Sequence, residues 1–266
     1  MAVNTLSALV VGCSYARGHG LQHEENDPEL WVNQLLKKAG YTHIDNKSHS
    51  GWNNESIFHA TTTALKNNNY DLVIVAWSSI PRYNINIGLE WYTTFTMLKN
   101  SPDIGINNGK LFKRKYLDKL RNKLLELHND HWDILKTVSY VNVLIDLQEK
   151  LRNGKIFFVN SLAPWSYGYF DKVAWEVPSE IDTYTQELLS ADNRDDNEIK
   201  TLYNKIHNEY ASAGGIQERY WLNLYNSLRL EQIDFVSDID SHPGYSSQHR
   251  YADMLLPVLI EKLNDN

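Results

Sequence analysis

Residues 71–77 read DLVIVAW, and Asp71 is the polar exception in an otherwise apolar run. A strand with one face in water alternates between apolar and polar residues, whereas a strand covered on both faces is apolar throughout. Strands of the second kind belong to parallel sheets with helices packed on both sides. The stretch therefore predicts a central strand of a parallel sheet, and it decides the fold class.

Further strands and helices alternate on either side of this stretch. Other predicted strands are 6–11, 42–46, 155–159 (KIFFV) and the weaker 233–236. The predicted helices are one that opens at Pro28 and stops at Gly40, 55–66, one long or two joined helices over 112–151, and about 247–263. This alternation predicts a three-layer α/β/α sandwich, of the flavodoxin-like type, around a mainly parallel five-stranded sheet.

Two stretches exceed what such a sandwich needs. Residues 80–110 are rich in aromatic residues, Asn and Gly, and residues 161–230 contain three tryptophans and a charged segment. Both begin just after a predicted central strand, so we interpret them as helical or loop insertions around one sheet. The prediction is a single domain over 1–266.

Composition excludes several classes of protein. The 266 residues carry a formal charge of −7, which argues against a general nucleic-acid binder. Because Cys13 is the one cysteine, neither an intramolecular disulfide nor a zinc site built on several cysteines can form. The sequence shows no recognised metal motif, and no apolar run reaches the ~20 residues of a membrane span. We therefore expect no metal, no cofactor and no membrane partner.

The turns after the predicted strands carry the reactive side chains. They are 12–15 (GCSY), 51–54 (GWNN), 77–79 (WSS), 160–161 (NS) and 238–243 (DIDSHP). In an open parallel sheet, ligands bind beyond the carboxyl ends of the strands, where these turns meet. Together they supply a hydroxyl, a glycine amide, a side-chain amide, a carboxylate and an imidazole, which are the parts of an acyl-transfer site.

The motifs GCSYARGHG, SGWNN, VIVAWSS and DSHPG, in this order, resemble the SGNH (GDSL-like) hydrolase superfamily, in a GCSY/F-type branch seen in phage and bacterial proteins. The resemblance implies a Ser-His-Asp catalytic triad with Ser14 as nucleophile and His242 as base. The family usually places its Asp three residues before the His, and that position is Ile239 here. Residues two apart in an extended segment face the same side, so Asp240 is favoured, with Asp238 as the alternative.

The resemblance also implies an oxyanion hole. Its donors would be the amides of Ser14 and Gly51 together with an Asn side chain. The family draws that Asn from a Gly-x-Asn-Asp motif after the third strand, which this chain lacks. Asn54 is the substitute candidate, and Ser78 is another. The competing interpretation of Asn54 is a helix cap.

The resulting functional prediction is a serine esterase or deacylase that hydrolyses an O-acyl ester, with O-acetyl groups on a carbohydrate as the specific case. Two alternatives stay open, an acyltransferase with the same triad and a non-catalytic protein on a degenerate hydrolase scaffold. Predicted substrate contacts are Trp165, Arg82 and Trp77. The expected partner is a small-molecule or carbohydrate ester. The N-terminus lacks the basic start of a signal peptide, so a cytoplasmic protein is expected, with a virion-associated role if it comes from a phage.

Overall fold

The computed structural model describes residues 6–78, 82–87, 90–96, 104–105, 130–162, 218–223 and 226–265. The strands are β1 (Ser7–Gly12), β2 (His43–Asn46), β3 (Leu72–Trp77), β4 (Arg82–Ile87), β5 (Glu90–Thr96), β6 (Ile104–Gly105), β7 (Lys155–Asn160), β8 (Phe235–Ser237) and β9 (Asp240–Pro243). The helices are α1 (Ser14–Arg17), α2 (Trp31–Lys38), α3 (Asn54–Asn67), α4 (Asp130–Ile145) and α5 (Tyr245–Asn264). Single turns of tighter helix cover Glu24–Asn26, Glu218–Tyr220 and Leu228–Glu231, and a π-helical segment, Asp146–Lys150, continues α4.

The central sheet is parallel and has the strand order β2-β1-β3-β7. β3 lies in its middle, where Ile74 stands opposite Val10 on one side and Phe157 on the other. Every residue of β3 is buried. The continuous apolar run of residues 72–77 is thus explained, because helices cover both faces of this strand, and the predicted α/β class is confirmed.

The helices pack in two pairs that cover the sheet. The chain moves from β1 outward to β2 and then back across β1 to β3, so two right-handed crossovers place α2 and α3 on opposite faces. α2 packs against α5, and α3 packs against α4. Leu35 of α2 and Leu259 of α5 are fully buried in this packing. None of the helices within the described ranges is both long and apolar enough to cross a membrane.

The predicted fifth strand is wrong in position and partner. Residues 235–237 form β8, which pairs antiparallel with β9 in a separate hairpin. The edge of β7 is instead met by a single parallel bridge between Phe158 and Trp221. The physical reason is that this segment is exposed and contains a hydrogen-bonded carboxylate. Ile233 and Phe235 are 58% and 62% exposed, and Asp234 between them accepts hydrogen bonds from the first amides of α5, so this segment is not covered on both faces.

The insertion over 80–110 contains regular structure that the sequence did not predict. β4, β5 and β6 form a small antiparallel sheet. The insertion over 161–230 lies mostly outside the described residues, as does the part of the predicted long helix before Asp130.

Candidate active site

The site lies at the carboxyl edge of β1 and β3, where the strand order reverses. The neighbouring connections leave this point in opposite directions, which opens a crevice beyond the strand ends. Gly12 ends β1, and a Cβ atom there would lie 2.7 Å from the Ala16 Cβ and 2.8 Å from the Ala76 Cβ. The glycine therefore lets the turn pass close to β3. Ser14 follows as the first residue of α1 and is 5% exposed.

Asp240 and His242 form a hydrogen-bonded pair on β9. His242 Nδ1 lies 2.6 Å from Asp240 Oδ1, and the His242 backbone amide donates to the same oxygen at 3.0 Å. Burial opposes the charged form of Asp240, but the hydrogen bonds from His242 and the charge interactions with His242 and His19 outweigh it, so the pKa of Asp240 is lowered. An ionised carboxylate only accepts hydrogen bonds, so Nδ1 carries the proton and Nε2 is the basic nitrogen.

This pair lies beside the turn that carries Ser14. α1 packs against β9, and the His242 ring centroid is 6.1 Å from that of Tyr15 and 4.5 Å from that of His19. The structure thus places the Ser14 turn, the imidazole and the carboxylate at one edge of the sheet.

Asp238, the alternative acid, lies elsewhere on the hairpin. It is exposed in the turn between β8 and β9, next to Ile239, which is 99% exposed. The extended backbone of β9 explains the difference, because Asp240 and His242 share one face of the strand. The geometry therefore pairs His242 with Asp240.

Asn54 is buried between two elements and does not cap its helix. The cap of α3 is Asn53, whose Oδ1 accepts from the Ser56 amide at 2.9 Å. Asn54 Oδ1 accepts from the Ser78 amide at 2.9 Å, and its Nδ2 lies 3.5 Å from Thr137 Oγ1. An amide nitrogen carries two N–H donors, and this long contact occupies at most one of them. Asn54 is therefore fixed at the end of β3 with donor capacity to spare.

Ser78 holds Asn54 in place. Its backbone amide donates to Asn54 Oδ1, and the residue is 2% exposed. The Ser78 hydroxyl as an oxyanion donor stays a prediction beside Asn54.

The turn after β2 is tied to the turn after β1. The His49 amide donates to the Gly12 carbonyl at 3.0 Å, and Ser50 Oγ shares a 3.0 Å hydrogen bond with His19 Nδ1. Gly51 has a φ of 86°, the left-handed conformation that glycine adopts readily. These contacts bring Gly51 and the Ser14 turn to the same edge. His19 was not among the predicted site residues, although its place in the GHG segment after Ser14 was a signal.

The three predicted substrate contacts lie in different parts of the chain, and only one of their side chains is described. Trp77 is fully buried and stacks on Phe158 with ring centroids 5.9 Å apart, so its prediction as a substrate contact is wrong, because the core covers the whole ring. Arg82 begins β4, where the backbone alone is described. Trp165 lies outside the described residues.

His19, Asp240 and His242 are also the one group in the described part of the chain with metal-ligand chemistry. Their ligand atoms lie within 4.8 Å of one another. Asp240 and His242 are joined at 2.6 Å through Nδ1, and a carboxylate in this position orients the imidazole whether its Nε2 accepts a proton or binds a metal ion.

Comparisons with known proteins find similarity to solved structures alone. No family model and no curated protein matches the chain, whereas 25 chains of solved structures do. TesA is 14% identical with a TM-score of 0.44, over 96% of this chain and 99% of that one. The esterase EstA from Pseudoalteromonas sp., inhibited by monoethylphosphonate, is 12% identical with a TM-score of 0.48, over 97% and 99%.

A lipolytic protein of the G-D-S-L family from Veillonella parvula also matches. It is 11% identical with a TM-score of 0.43, over 96% of this chain and 98% of that chain. Each of these three alignments covers nearly the full length of this chain. Identities and scores this low transfer no residue's role, so the roles proposed below rest on the contacts of this chain.

Proposed function

We propose that this chain is a metal-independent serine hydrolase that cleaves O-acyl esters. Ser14 is the nucleophile, His242 the general base and Asp240 the residue that orients the imidazole. The observation that carries the proposal is the 2.6 Å hydrogen bond between His242 Nδ1 and an ionised Asp240, beside the turn that presents Ser14. A serine hydroxyl becomes a useful nucleophile once a base removes its proton, and an oriented imidazole supplies that base.

The acylation step uses these groups in sequence. Ser14 Oγ attacks the ester carbonyl carbon while His242 Nε2 takes the hydroxyl proton, and the ionised Asp240 stabilises the imidazolium that forms. The tetrahedral intermediate then expels the alcohol, which leaves with the proton from His242. An acyl group remains on Ser14.

The negative charge on the tetrahedral intermediate needs preorganised donors. We assign this role to the amides of Ser14 and Gly51 and to Asn54 Nδ2. The Ser14 amide is at the start of α1, where amides have no acceptor within the helix. Asn54 is fixed by the Ser78 amide, so its donor is oriented before the substrate arrives.

Water then attacks the acyl group with His242 again as base, which releases the acid and restores Ser14. The 5% exposure of Ser14 favours a small acyl group such as acetyl. An acetylated sugar or similar small molecule is therefore the proposed substrate.

The direct test is a series of aryl acetate, butyrate and octanoate esters, with Ser139→Ala as a matched control on the exposed face of α4. We expect hydrolysis by wild type and control alike, fastest for the acetate and unchanged by a chelator. Transfer of the acetyl group to an added sugar in place of water would indicate an acyltransferase. No turnover of any ester would contradict the proposal.

Replacing Asn54 by aspartate tests the oxyanion assignment. The variant keeps an oxygen for the Ser78 amide but removes the Nδ2 donor and places a negative charge where the oxyanion would form. We expect kcat for an aryl acetate to fall by roughly 10²–10³-fold, the usual effect of losing one oxyanion donor. Asn53→Asp is the matched control, because it keeps the capping oxygen of α3 and should retain wild-type kcat. Equal kcat values for the two variants would remove Asn54 from the site.

A further inference from the structure

Gln232 connects the two elements that carry the proposed nucleophile and base. Its Oε1 accepts from the Tyr15 hydroxyl at 2.9 Å, and its Nε2 donates to the Ser241 carbonyl at 2.9 Å. Tyr15 is the residue after Ser14, and Ser241 is the residue before His242. One side-chain amide therefore spans from the Ser14 turn to the strand that holds His242.

The hairpin that carries His242 has a short and irregular strand pairing, and Gln248 Nε2 donates to its Pro243 carbonyl at 3.1 Å. β8 and β9 pair at Phe235–Pro243 and at Ser237–Asp240, with a register shift between the two pairs. Pro243 has no N–H to donate, and two-stranded hairpins are marginally stable on their own. Gln232 Nε2 also donates to the Asp234 carbonyl at 3.0 Å, so it joins the two sides of the hairpin near the irregular pairing.

We propose that Gln232 is a positioning residue that sets the separation between Ser14 and His242. This inference rests on the proposed esterase function. Gln232 itself contacts neither Ser14 nor the Asp240–His242 hydrogen bond, and it acts through Tyr15 and Ser241. Its amide is suited to this position, because one end must accept from a hydroxyl while the other donates to two carbonyls.

Gln232→Glu removes the donating end of the side chain and keeps the accepting end, with little change of shape. A carboxylate oxygen can still accept from the Tyr15 hydroxyl, but the second oxygen faces the Asp234 and Ser241 carbonyls and repels them. Tyr15→Phe does the reverse, since it removes the link to α1 and keeps the link across the hairpin. Gln34→Glu is the matched control. Gln34 lies on α2 and its Nε2 donates to the Glu29 carbonyl at 2.6 Å, so this substitution also replaces an amide donor that faces a carbonyl.

For an aryl acetate, we expect Gln232→Glu to lower kcat by roughly 10–100-fold with KM little changed, the signature of misaligned reacting groups. Tyr15→Phe should lower kcat less, and Gln34→Glu should match wild type. The acid limb of the pH profile should keep its midpoint in Gln232→Glu, because the Asp240–His242 hydrogen bond is intact. A kcat of Gln232→Glu equal to that of wild type would overturn the inference, as would an equal loss of kcat in Gln34→Glu.

Amide hydrogen exchange over residues 235–243 gives a readout that does not depend on activity. We expect exchange to accelerate about tenfold or more in Gln232→Glu and to stay at the wild-type rate in Tyr15→Phe and Gln34→Glu. If wild type hydrolyses no ester, the proposed function fails, whereas exchange still decides whether Gln232 holds the hairpin. Unchanged exchange in Gln232→Glu would overturn the positioning role whatever the activity.

Discussion

Replacing Ser14 by alanine is expected to lower kcat for an aryl acetate by roughly 10⁴–10⁶-fold, with KM close to that of wild type. The substitution removes the Oγ that attacks the ester, and the remaining oxyanion donors cannot supply a nucleophile. Turnover above that of water should persist at a low level, because oxyanion donors alone retain some catalysis. Initial rates under saturating ester measure the effect.

Ser14→Ala should remain folded, which makes the loss interpretable. The substitution removes one hydroxyl and keeps the backbone of α1, so it should change the free energy of unfolding by no more than about 1.5 kcal/mol. Thermal unfolding of the variant beside Ser139→Ala checks this. A Ser14→Ala enzyme that keeps a tenth or more of the wild-type kcat would refute Ser14 as the nucleophile.

Replacing Asp240 by asparagine should lower kcat by roughly 10³–10⁴-fold. Asn has nearly the same shape, but it cannot stabilise an imidazolium as a carboxylate does, and its N–H can turn the His242 ring toward the wrong tautomer. The exposed Asp238 offers a matched control, since Asp238→Asn leaves the 2.6 Å hydrogen bond intact. We expect Asp238→Asn to retain wild-type kcat. A larger loss in Asp238→Asn than in Asp240→Asn would reverse the assignment of the acid.

The lowered pKa of Asp240 gives this comparison a pH dependence. A carboxyl group whose pKa is lowered by folding stabilises the fold above its ordinary pKa of 3.8, and that stabilisation is lost as the pH falls through the folded value. The difference in unfolding free energy between wild type and Asp240→Asn should therefore shrink as the pH falls below about 4. Above that range Asp240 stays ionised, so the acid limb of kcat/KM should follow a single ionisation.

Local patterns predicted the centre of the fold and one contact of the site. The run over residues 72–77 is apolar throughout, and this property belongs to a strand covered on both faces. The spacing of Asp240 and His242 places both side chains on one face of an extended segment. Both inferences need no knowledge of distant residues, which is why the sequence was sufficient for them.

Contacts between distant residues could not be predicted in the same way. The Asn54–Ser78 hydrogen bond spans 24 residues, and the Tyr15–Gln232 hydrogen bond spans 217. The segment around Asp234 reads as a short strand, yet its carboxylate accepts from the first amides of α5, and that bond depends on where the helix docks. Trp77 belongs to the same apolar run as the rest of β3, and the structure places it in the core.

The most direct test of the catalytic serine is the position of a fluorophosphonate adduct, mapped by mass spectrometry of the digested protein. The predicted result is a single adduct on Ser14 in wild type, formed at a much lower rate in Asp240→Asn and absent from Ser14→Ala. Fragment ions must separate Ser14 from Cys13, which is fully buried beside it. An adduct on any other residue, or no adduct under conditions where a control serine esterase is labelled, would contradict an activated Ser14.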